Sequence, residues 1–354
     1  MTAPILFEET GRLGLVTLNR PAHLNALTHD MALMLEERLL HWRGREDIAC
    51  VAIIGAGPKA FCAGGDIRAL YEAGVEDGAA NFQFYADEYR LDTLIRRYPK
   101  PYVAFMDGIV MGGGVGVSIH GRFRIAGDAT VFAMPETGIG LFPDVGGTWF
   151  LPRLPGQVGL WLGLTGARLR AADAVAAGVC DRYIPSACEG AALEALAAAD
   201  YADDPRAAVG AALKPFTEAP SGGSLANLRP LIDQCFSGDS VEAVLAALDA
   251  VGEDWTAEQA AAIRAKSPTC TRIAFRQVRT GAALSFIDCM RLEYRLARFC
   301  MTHPDFYEGV RAILIDKTGA PQWRPATLAE ADEAYVAPAF APLPEGEELA
   351  LPPE

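Results

Sequence analysis

Short apolar runs alternate with a helical pattern through the first part of this chain, and this alternation restricts its fold more than any other feature. Leu13–Leu18 and residues 50–54 are typical of strands, and an apolar stripe at helical spacing lies between them, with Thr28 as its predicted N-cap. Two further strand-like runs follow at 101–106 and 123–125. Strands that alternate with helices predict an α/β fold with parallel strands.

The pattern changes after about residue 185, where helical signals dominate. The alanine-rich segment 241–251 favours a helix, and helical spacing of apolar residues returns at 285–301. Residues 217–230 contain two prolines and a Ser-Gly-Gly run, which predict a loop or hinge.

These changes predict two parts of the chain. We expect an α/β core at 1–190 and a mostly helical C-terminal region at 191–354. Proline is frequent in residues 336–354, so this last stretch is predicted to be an irregular tail.

The charge balance restricts the partners that such a chain can have. The formal net charge is −14, which argues against nucleic acid and against an anionic membrane surface as partners. No apolar stretch of about 18 residues suggests a membrane span. A small anionic ligand is still compatible with this charge, because it needs only a local basic patch.

Cysteine and histidine usage points away from disulfides and metal sites. The eight cysteines are scattered without a CxxC pair, which favours free thiols in a reducing compartment. The five histidines form no cluster with cysteines, so no metal-ligand set is apparent. The N-terminus shows neither a signal peptide nor an Arg- and Ser-rich leader, and we therefore expect a cytoplasmic protein.

Two glycine patterns resemble well-known motifs but lack the neighbouring residues that those motifs require. Residues 55–60 satisfy GxGxxG/A, yet Pro58 and the next glycines prevent the helix that a dinucleotide-binding loop requires. Residues 116–121 place Ser118 near a glycine, but the last glycine is one position too late for a nucleophile elbow. Neither pattern predicts a site.

Two glycine-rich turns, each between a strand-like run and a helical pattern, are more informative. The first contains Gly64 and Gly65, followed by Asp66, which could cap the next helix; the second, 107–116, contains a glycine triplet. One exposed N–H group from each turn would form an oxyanion hole for a carbonyl oxygen. Two ordinary tight turns would produce the same pattern.

Two carboxylates follow these turns in strongly apolar surroundings. Glu136 comes after a proline, and Asp144 lies between Phe142 and Val145. Desolvation raises the pKa of a carboxyl group toward the range of a useful acid or base. The alternative is that each carboxylate caps a local turn or helix.

Taken together, these segments resemble the enoyl-CoA hydratase/isomerase (crotonase) superfamily, and within it the 3-hydroxyisobutyryl-CoA hydrolase branch most closely. The matching motifs span nearly the whole chain and lie at 61–66, 108–116, 134–147, 305–312 and 315–317. The resemblance implies an α/β, crotonase-like spiral of ββα turns with a helical C-terminal region.

The resemblance also implies site residues. The N–H groups of Gly65 and Gly113 would hold the thioester carbonyl oxygen, and Glu136 would face the reacting carbons. Hydratases of the superfamily have a second glutamate where this chain has Gly116, and they tend to have glycine where it has Asp144. Both differences match the hydrolase branch.

Weaker matches concern the rest of the substrate. Glu88 matches a substrate-contacting position of the hydrolase branch, although its Asp-Glu-Tyr-Arg context is more typical of a solvated helix face. Lys59, Arg68 and Arg20 are candidates for binding the CoA phosphates.

The resulting expectation is hydrolysis of a 3-hydroxyacyl-CoA, foremost 3-hydroxyisobutyryl-CoA. Glu136 would act as general base or as nucleophile, and Asp144 would orient water or the 3-hydroxyl and could share protons with Glu136. CoA would be part of the substrate, so no separate cofactor is expected, and the resemblance implies a homo-oligomer. The alternatives are an enoyl-CoA isomerase or hydratase and a non-catalytic CoA-binding paralogue.

Overall fold

A computed structural model describes residues 3–352, which form two compact units. We name them the sheet unit, which comprises residues 3–65, 90–132 and 169–226, and the helical unit, which comprises residues 66–89, 133–168 and 227–352. Each unit therefore combines three separate stretches of the chain. The predicted division of the chain at about residue 190 stays a prediction.

All strands of the described residues lie in the sheet unit. They are β1 (Ile5–Thr10), β2 (Leu13–Leu18), β3 (Cys50–Gly55), β4 (Ala60–Cys62), β5 (Tyr102–Met106), β6 (Ile109–Val110), β7 (Phe123–Ala126), β8 (Val131–Phe132), β9 (Leu169–Arg170) and β10 (Arg182–Tyr183). One sheet has the order β1-β2-β3-β5-β7-β10 and is parallel except for the β1–β2 hairpin. The other has the order β4-β6-β8-β9, and only β8–β9 is antiparallel. The predicted α/β architecture with mostly parallel strands is confirmed.

Helices are present in both units. They are α1 (His29–Arg43), α2 (Ile67–Gly74), α3 (Phe82–Arg96), α4 (Gly113–Ile119), α5 (Gly147–Phe150), α6 (Val158–Thr165), α7 (Ala171–Ala176), α8 (Glu189–Ala198), α9 (Pro205–Leu213), α10 (Leu225–Cys235), α11 (Val241–Val251), α12 (Asp254–Arg264), α13 (Pro268–Gly281), α14 (Phe286–Thr302), α15 (Pro304–Val310) and α16 (Glu333–Val336). The hydroxyl of Thr28 accepts a hydrogen bond from the Met31 amide (3.2 Å), which confirms the predicted N-cap of α1.

The predicted loop or hinge at 217–230 is wrong in its second half. Helix α10 begins at Leu225 and continues through Pro230 to Cys235. Proline lacks a backbone N–H group, so Pro230 removes one hydrogen bond from this helix. The helix nevertheless buries an apolar face that contains Leu225, Ile232 and Cys235. Burial of this apolar face stabilises the helix by more than the missing hydrogen bond costs.

Helices α13 and α14 build the core of the helical unit. Both pack against the short helix α5, and α13 also packs against α6. Helix α14 buries an almost continuous face that includes Met290, Glu293 and Leu296. The packing fixes the loop that precedes α5, which carries Asp144.

The eight cysteines all have free thiols, as expected, and seven of them are buried. None of the helices in residues 3–352 is both long and apolar enough to span a membrane. The predicted irregular tail contains a short 3-10 helix at Ala337–Phe340, and residues 353–354 lie outside the described part.

Candidate active site

The first glycine-rich turn follows β4 in the sheet unit. Gly64 has a φ of +122°, a conformation that glycine adopts without strain. Its carbonyl oxygen accepts a hydrogen bond from the Leu27 amide (2.8 Å), and Gly65 forms a β-bridge with Leu27. The backbone of this turn is thus held in place immediately before and at Gly65.

The second glycine-rich turn lies directly beside the first. The Met111 amide donates to the carbonyl oxygen of Cys62 (3.1 Å), and a Cβ atom on Gly114 would lie 2.2 Å from that same oxygen. Glycine at position 114 is what allows α4 to approach β4 so closely. Gly113 is the first residue of α4, so its N–H group has no acceptor within the helix. The structure therefore brings the turns of Gly65 and Gly113 together, as the sequence predicts.

Glu136 lies in the helical unit, at the start of a 3-10 helix that spans Glu136–Ile139. Its side chain is only 4% exposed. The neighbouring cation is Lys266. Burial lowers the pKa of Lys266 below its ordinary value, and the negative charge of Glu136 offsets part of this decrease. The Ser267 amide, next to this lysine, donates to the Thr137 carbonyl (3.1 Å) and so ties the two segments together.

Asp144 is a buried carboxyl group in the loop before α5. It is 4% exposed, and the Tyr89 hydroxyl donates to its Oδ2 atom over 3.3 Å. Burial raises the pKa of Asp144 to about 7, while the hydrogen bond from Tyr89 acts in the opposite direction. The apolar neighbours in the sequence predicted this desolvation, and the structure confirms it for Asp144.

A third carboxylate, Glu293, holds the same loop. Its two oxygens accept hydrogen bonds from the amides of Gly146 (2.7 Å) and Thr148 (2.8 Å). Val145 and Gly146 have φ angles of +49° and +90°, which are rarely adopted by residues other than glycine. Burial raises the pKa of Glu293 to about 8, despite the hydrogen bonds from this loop. Glu293 thus fixes a strained turn directly after Asp144.

Glu88 is buried, so the interpretation of its surroundings as a solvated helix face is wrong. Only 2% of Glu88 is exposed, and Tyr85 and Tyr89 on the same helix are equally inaccessible. The charges of Asp144 and Glu88 raise the pKa of both tyrosines, and the charge of Glu293 also raises the pKa of Tyr89. Glu88 and Asp144 are therefore brought together, with the tyrosines of α3 as common neighbours.

The three candidate CoA-binding residues are arranged differently. Lys59 and Arg68 have exposed side chains, whereas Arg20 is half-buried and donates to the Ala26 carbonyl oxygen (2.6 Å). Arg68 lies within 3.4 Å of the Leu314 carbonyl oxygen. Arg20 and Lys59 belong to the sheet unit, and Arg68 belongs to the helical unit. Their role in CoA binding stays a prediction.

Sequence reasoning did not identify Glu293, Tyr89 or Lys266. Glu293 could have been found, because it lies at helical spacing from Met290 and Leu296 on the apolar stripe of α14. A charged residue on such a stripe indicates a buried partner. Nothing in the sequence distinguishes Tyr89 or Lys266 from other tyrosines and lysines. No group of three or more histidine, cysteine, aspartate or glutamate side chains in residues 3–352 is arranged to hold a metal ion.

Comparison with known proteins identifies relatives along almost the whole chain. The family model described as enoyl-CoA hydratase/isomerase matches residues 13–340. A protein of Danio rerio named 3-hydroxyisobutyryl-CoA hydrolase, mitochondrial, is 44% identical over 348 residues, covering 96% of this chain and 90% of its own length. The human protein of the same name is 41% identical, with 93% and 86% covered.

Solved structures show the same relationship. A carnitinyl-CoA dehydratase from Mycobacterium thermoresistibile aligns with a TM-score of 0.93 and 43% identity over 100% of both chains. An enoyl-CoA hydratase from Rhodobacter sphaeroides 2.4.1 aligns with a TM-score of 0.90 and 38% identity over 99% of this chain and 100% of its own. The predicted crotonase-like fold is confirmed, and the chain belongs to the enoyl-CoA hydratase/isomerase family.

Proposed function

We propose that this protein is an enzyme that hydrolyses 3-hydroxyisobutyryl-CoA to free CoA and the hydroxy acid. The relatives from Danio rerio and Homo sapiens carry the name of that hydrolase, and each aligns with more than nine-tenths of this chain. The observation that carries the proposal is the buried carboxyl of Asp144 with its raised pKa, in a chain where Gly116 replaces the second glutamate of the hydratases.

In the proposed reaction, each predicted residue has a defined role. The amides of Gly65 and Gly113 stabilise the oxyanion that develops on the thioester carbonyl, each contributing about 3 kcal/mol to the transition state. Glu136 acts either by attacking the carbonyl carbon or by taking a proton from the attacking water. CoA leaves as a thiol and is part of the substrate, so the proposal requires no separate cofactor.

Asp144 is proposed to supply the proton that the departing sulfur takes up. Its pKa of about 7 means that it retains a proton at pH values where an ordinary aspartate is ionised. Two carboxyl groups with different protonation states provide an acid and a base in one reaction. On the general-base route, the proton that Glu136 takes from water then passes to Asp144 and restores its acid form. On the nucleophile route, water cleaves the anhydride formed with Glu136, and the ionised Asp144 takes the proton that this water loses.

This role predicts the pH dependence of the wild-type enzyme. Because the acid form of Asp144 is required, kcat/KM should decrease as the pH rises through about 7. In Asp144→Asn the rate should be lower and this decrease should be absent, since asparagine does not titrate. Steady-state thiol release between pH 5.5 and 9 measures both profiles. If the Asp144→Asn variant retains the same decrease, another group is the acid.

The residues proposed to contact the CoA part of the substrate are chosen by their positive charge. We propose that Lys59, Arg68 and Arg20 contact its phosphates, because phosphate groups require local cations in a chain with a net charge of −14. Glu88, buried beside the tyrosines of α3, is proposed to contact the acyl part of the substrate.

The main rival function is enoyl-CoA hydration or isomerisation, which the names of the two aligned structures suggest. A substrate panel separates the functions: 3-hydroxyisobutyryl-CoA, 3-hydroxypropionyl-CoA, crotonyl-CoA and 3-butenoyl-CoA, assayed with a thiol reagent and by the absorbance of the conjugated enoyl group. We expect thiol release from the 3-hydroxyacyl-CoAs and no change of the enoyl absorbance. Loss of enoyl absorbance from crotonyl-CoA without thiol release would support the hydratase, and a gain of enoyl absorbance from 3-butenoyl-CoA would support the isomerase. No turnover of any compound would support a non-catalytic paralogue.

Oligomeric state and cellular location are the two remaining properties of the protein. We propose a homo-oligomer, on the basis of the family to which the chain belongs. The cytoplasmic location stays a prediction, and the related hydrolases from Danio rerio and Homo sapiens are named as mitochondrial.

A further inference from the structure

The hydroxyl group of Tyr85 has no hydrogen-bond partner among residues 3–352, although it is fully buried. The whole residue is only 2% exposed. Buried hydroxyl groups are nearly always hydrogen-bonded, and leaving one without a partner destabilises the protein. An isolated donor in this position is explained if its partner is a ligand.

The ring of Tyr85 is held rigidly, so the hydroxyl has a fixed place. It contacts the ring of Phe84 edge-on, with centroids 5.3 Å apart, and the tilted ring of Tyr89 at 5.8 Å. Both contacts lie on helix α3. Tyr85 therefore cannot turn to reach a distant acceptor without breaking these contacts.

The surroundings of Tyr85 define which chemistry it can recognise. Burial, followed by the charges of Asp144 and Glu88, raises the pKa of Tyr85 well above its ordinary value, so the hydroxyl remains a hydrogen-bond donor. The carboxyl groups of Asp144 and Glu88 are acceptors. A donor beside acceptors matches an alcohol, because an alcohol both donates and accepts.

We propose that the Tyr85 hydroxyl donates a hydrogen bond to the 3-hydroxyl group of the acyl chain and so selects 3-hydroxyacyl over unsubstituted acyl thioesters. This inference rests on the proposed function, which supplies an acyl group with one alcohol. The thioester carbonyl is already assigned to the amides of Gly65 and Gly113. The 3-hydroxyl is thus the polar group of the acyl chain that still lacks a donor.

The test compares Tyr85→Phe with the wild type on two substrates that differ only in the 3-hydroxyl: 3-hydroxyisobutyryl-CoA and isobutyryl-CoA. Removing the donor should lower kcat/KM for the hydroxylated substrate by about 10- to 100-fold. For isobutyryl-CoA, which cannot accept this hydrogen bond, the change should stay within about twofold. The variant therefore loses discrimination rather than general activity.

Tyr89→Phe is the matched control, since it removes a hydroxyl from the same helix. The Tyr89 hydroxyl bonds to Asp144 (3.3 Å), so its loss should lower the rate on both substrates by the same factor. If Tyr85→Phe lowers kcat/KM by the same factor for both substrates, or leaves kcat/KM unchanged for both, the proposal is wrong.

A binding measurement separates failure of this inference from failure of the proposed function. Calorimetric titration of both thioesters into Glu136→Gln and into Glu136→Gln/Tyr85→Phe needs no turnover. The proposal requires that Tyr85→Phe weakens binding of 3-hydroxyisobutyryl-CoA at least fivefold more than binding of isobutyryl-CoA. Equal weakening overturns it, even where the wild type hydrolyses the substrate. If the wild type releases no thiol and the binding difference persists, the proposed hydrolysis is wrong and the role of Tyr85 stands.

Discussion

Replacement of Glu136 by glutamine is expected to lower kcat for thioester hydrolysis by about 10²- to 10⁴-fold. Glutamine has the size and shape of glutamate, but its amide neither takes a proton from water nor attacks a carbonyl carbon. Glu136 is 4% exposed, which restricts access for a water molecule that could replace the carboxylate. The KM should change little, because the lost interaction acts mainly in the transition state.

Steady-state release of CoA at saturating substrate measures this effect. Glu194→Gln is a suitable control, since Glu194 is an exposed carboxylate on helix α8 and should leave kcat unchanged. Circular dichroism and thermal unfolding of both variants establish that they are folded. Near-wild-type hydrolysis by folded Glu136→Gln would contradict the assignment of Glu136 as base or nucleophile.

The parts of the site that depend on local sequence could be predicted. The turn of Gly64 and the close approach at Gly114 follow strand-like runs, and glycine at such places indicates a turn or a backbone contact. Burial of Asp144 followed from its apolar neighbours. Local composition thus predicted both the backbone of the glycine turns and the raised pKa of Asp144.

Contacts between distant parts of the chain could not be predicted. Glu293 and its partner Gly146 are 147 residues apart, and no local pattern connects them. The Asp-Glu-Tyr-Arg context of Glu88 is typical of a solvated helix face, whereas the packing of helix α3 buries this residue. A periodic pattern reveals which face of a helix is buried, but not which element covers that face.

Glu293→Ala is expected to reduce both stability and activity. The Gly146 and Thr148 amides would lose their acceptor, and each buried N–H group without a partner costs about 1–3 kcal/mol. We therefore expect the free energy of unfolding to fall by about 3 kcal/mol. The turn with Val145 at a φ of +49° would relax, Asp144 would shift, and kcat should fall by at least about tenfold.

Glu293→Gln distinguishes a positioning role from simple loss of packing. The amide oxygen of glutamine accepts one of the two hydrogen bonds, so part of the lost stability and of the lost kcat should be recovered. Asp173→Ala is the matched control: Asp173 accepts from the amides of Ser224 and Leu225 (2.8 Å each), in a loop without proposed site residues. Asp173→Ala should lower the free energy of unfolding and leave kcat unchanged. If Glu293→Ala lowers stability alone, Glu293 does not position Asp144.

The pH dependence of stability provides an independent measure of Glu293. Its pKa is about 8 in the folded protein and 4.5 ordinarily, so between these values the folded state holds a proton that the unfolded state has released. Its contribution to stability is therefore greatest below pH 4.5 and is lost as the pH rises through 8. Asp144 contributes in the same direction up to about pH 7. Urea unfolding of the wild type at pH 6 and 9 should show this decrease. Glu293→Gln should show a smaller one, because the contribution of Glu293 is then absent while Asp144 and Glu189, whose pKa burial also raises to about 7, still titrate. An equal decrease in both proteins would mean that Glu293 is ionised throughout this range and acts on Asp144 as a fixed charge.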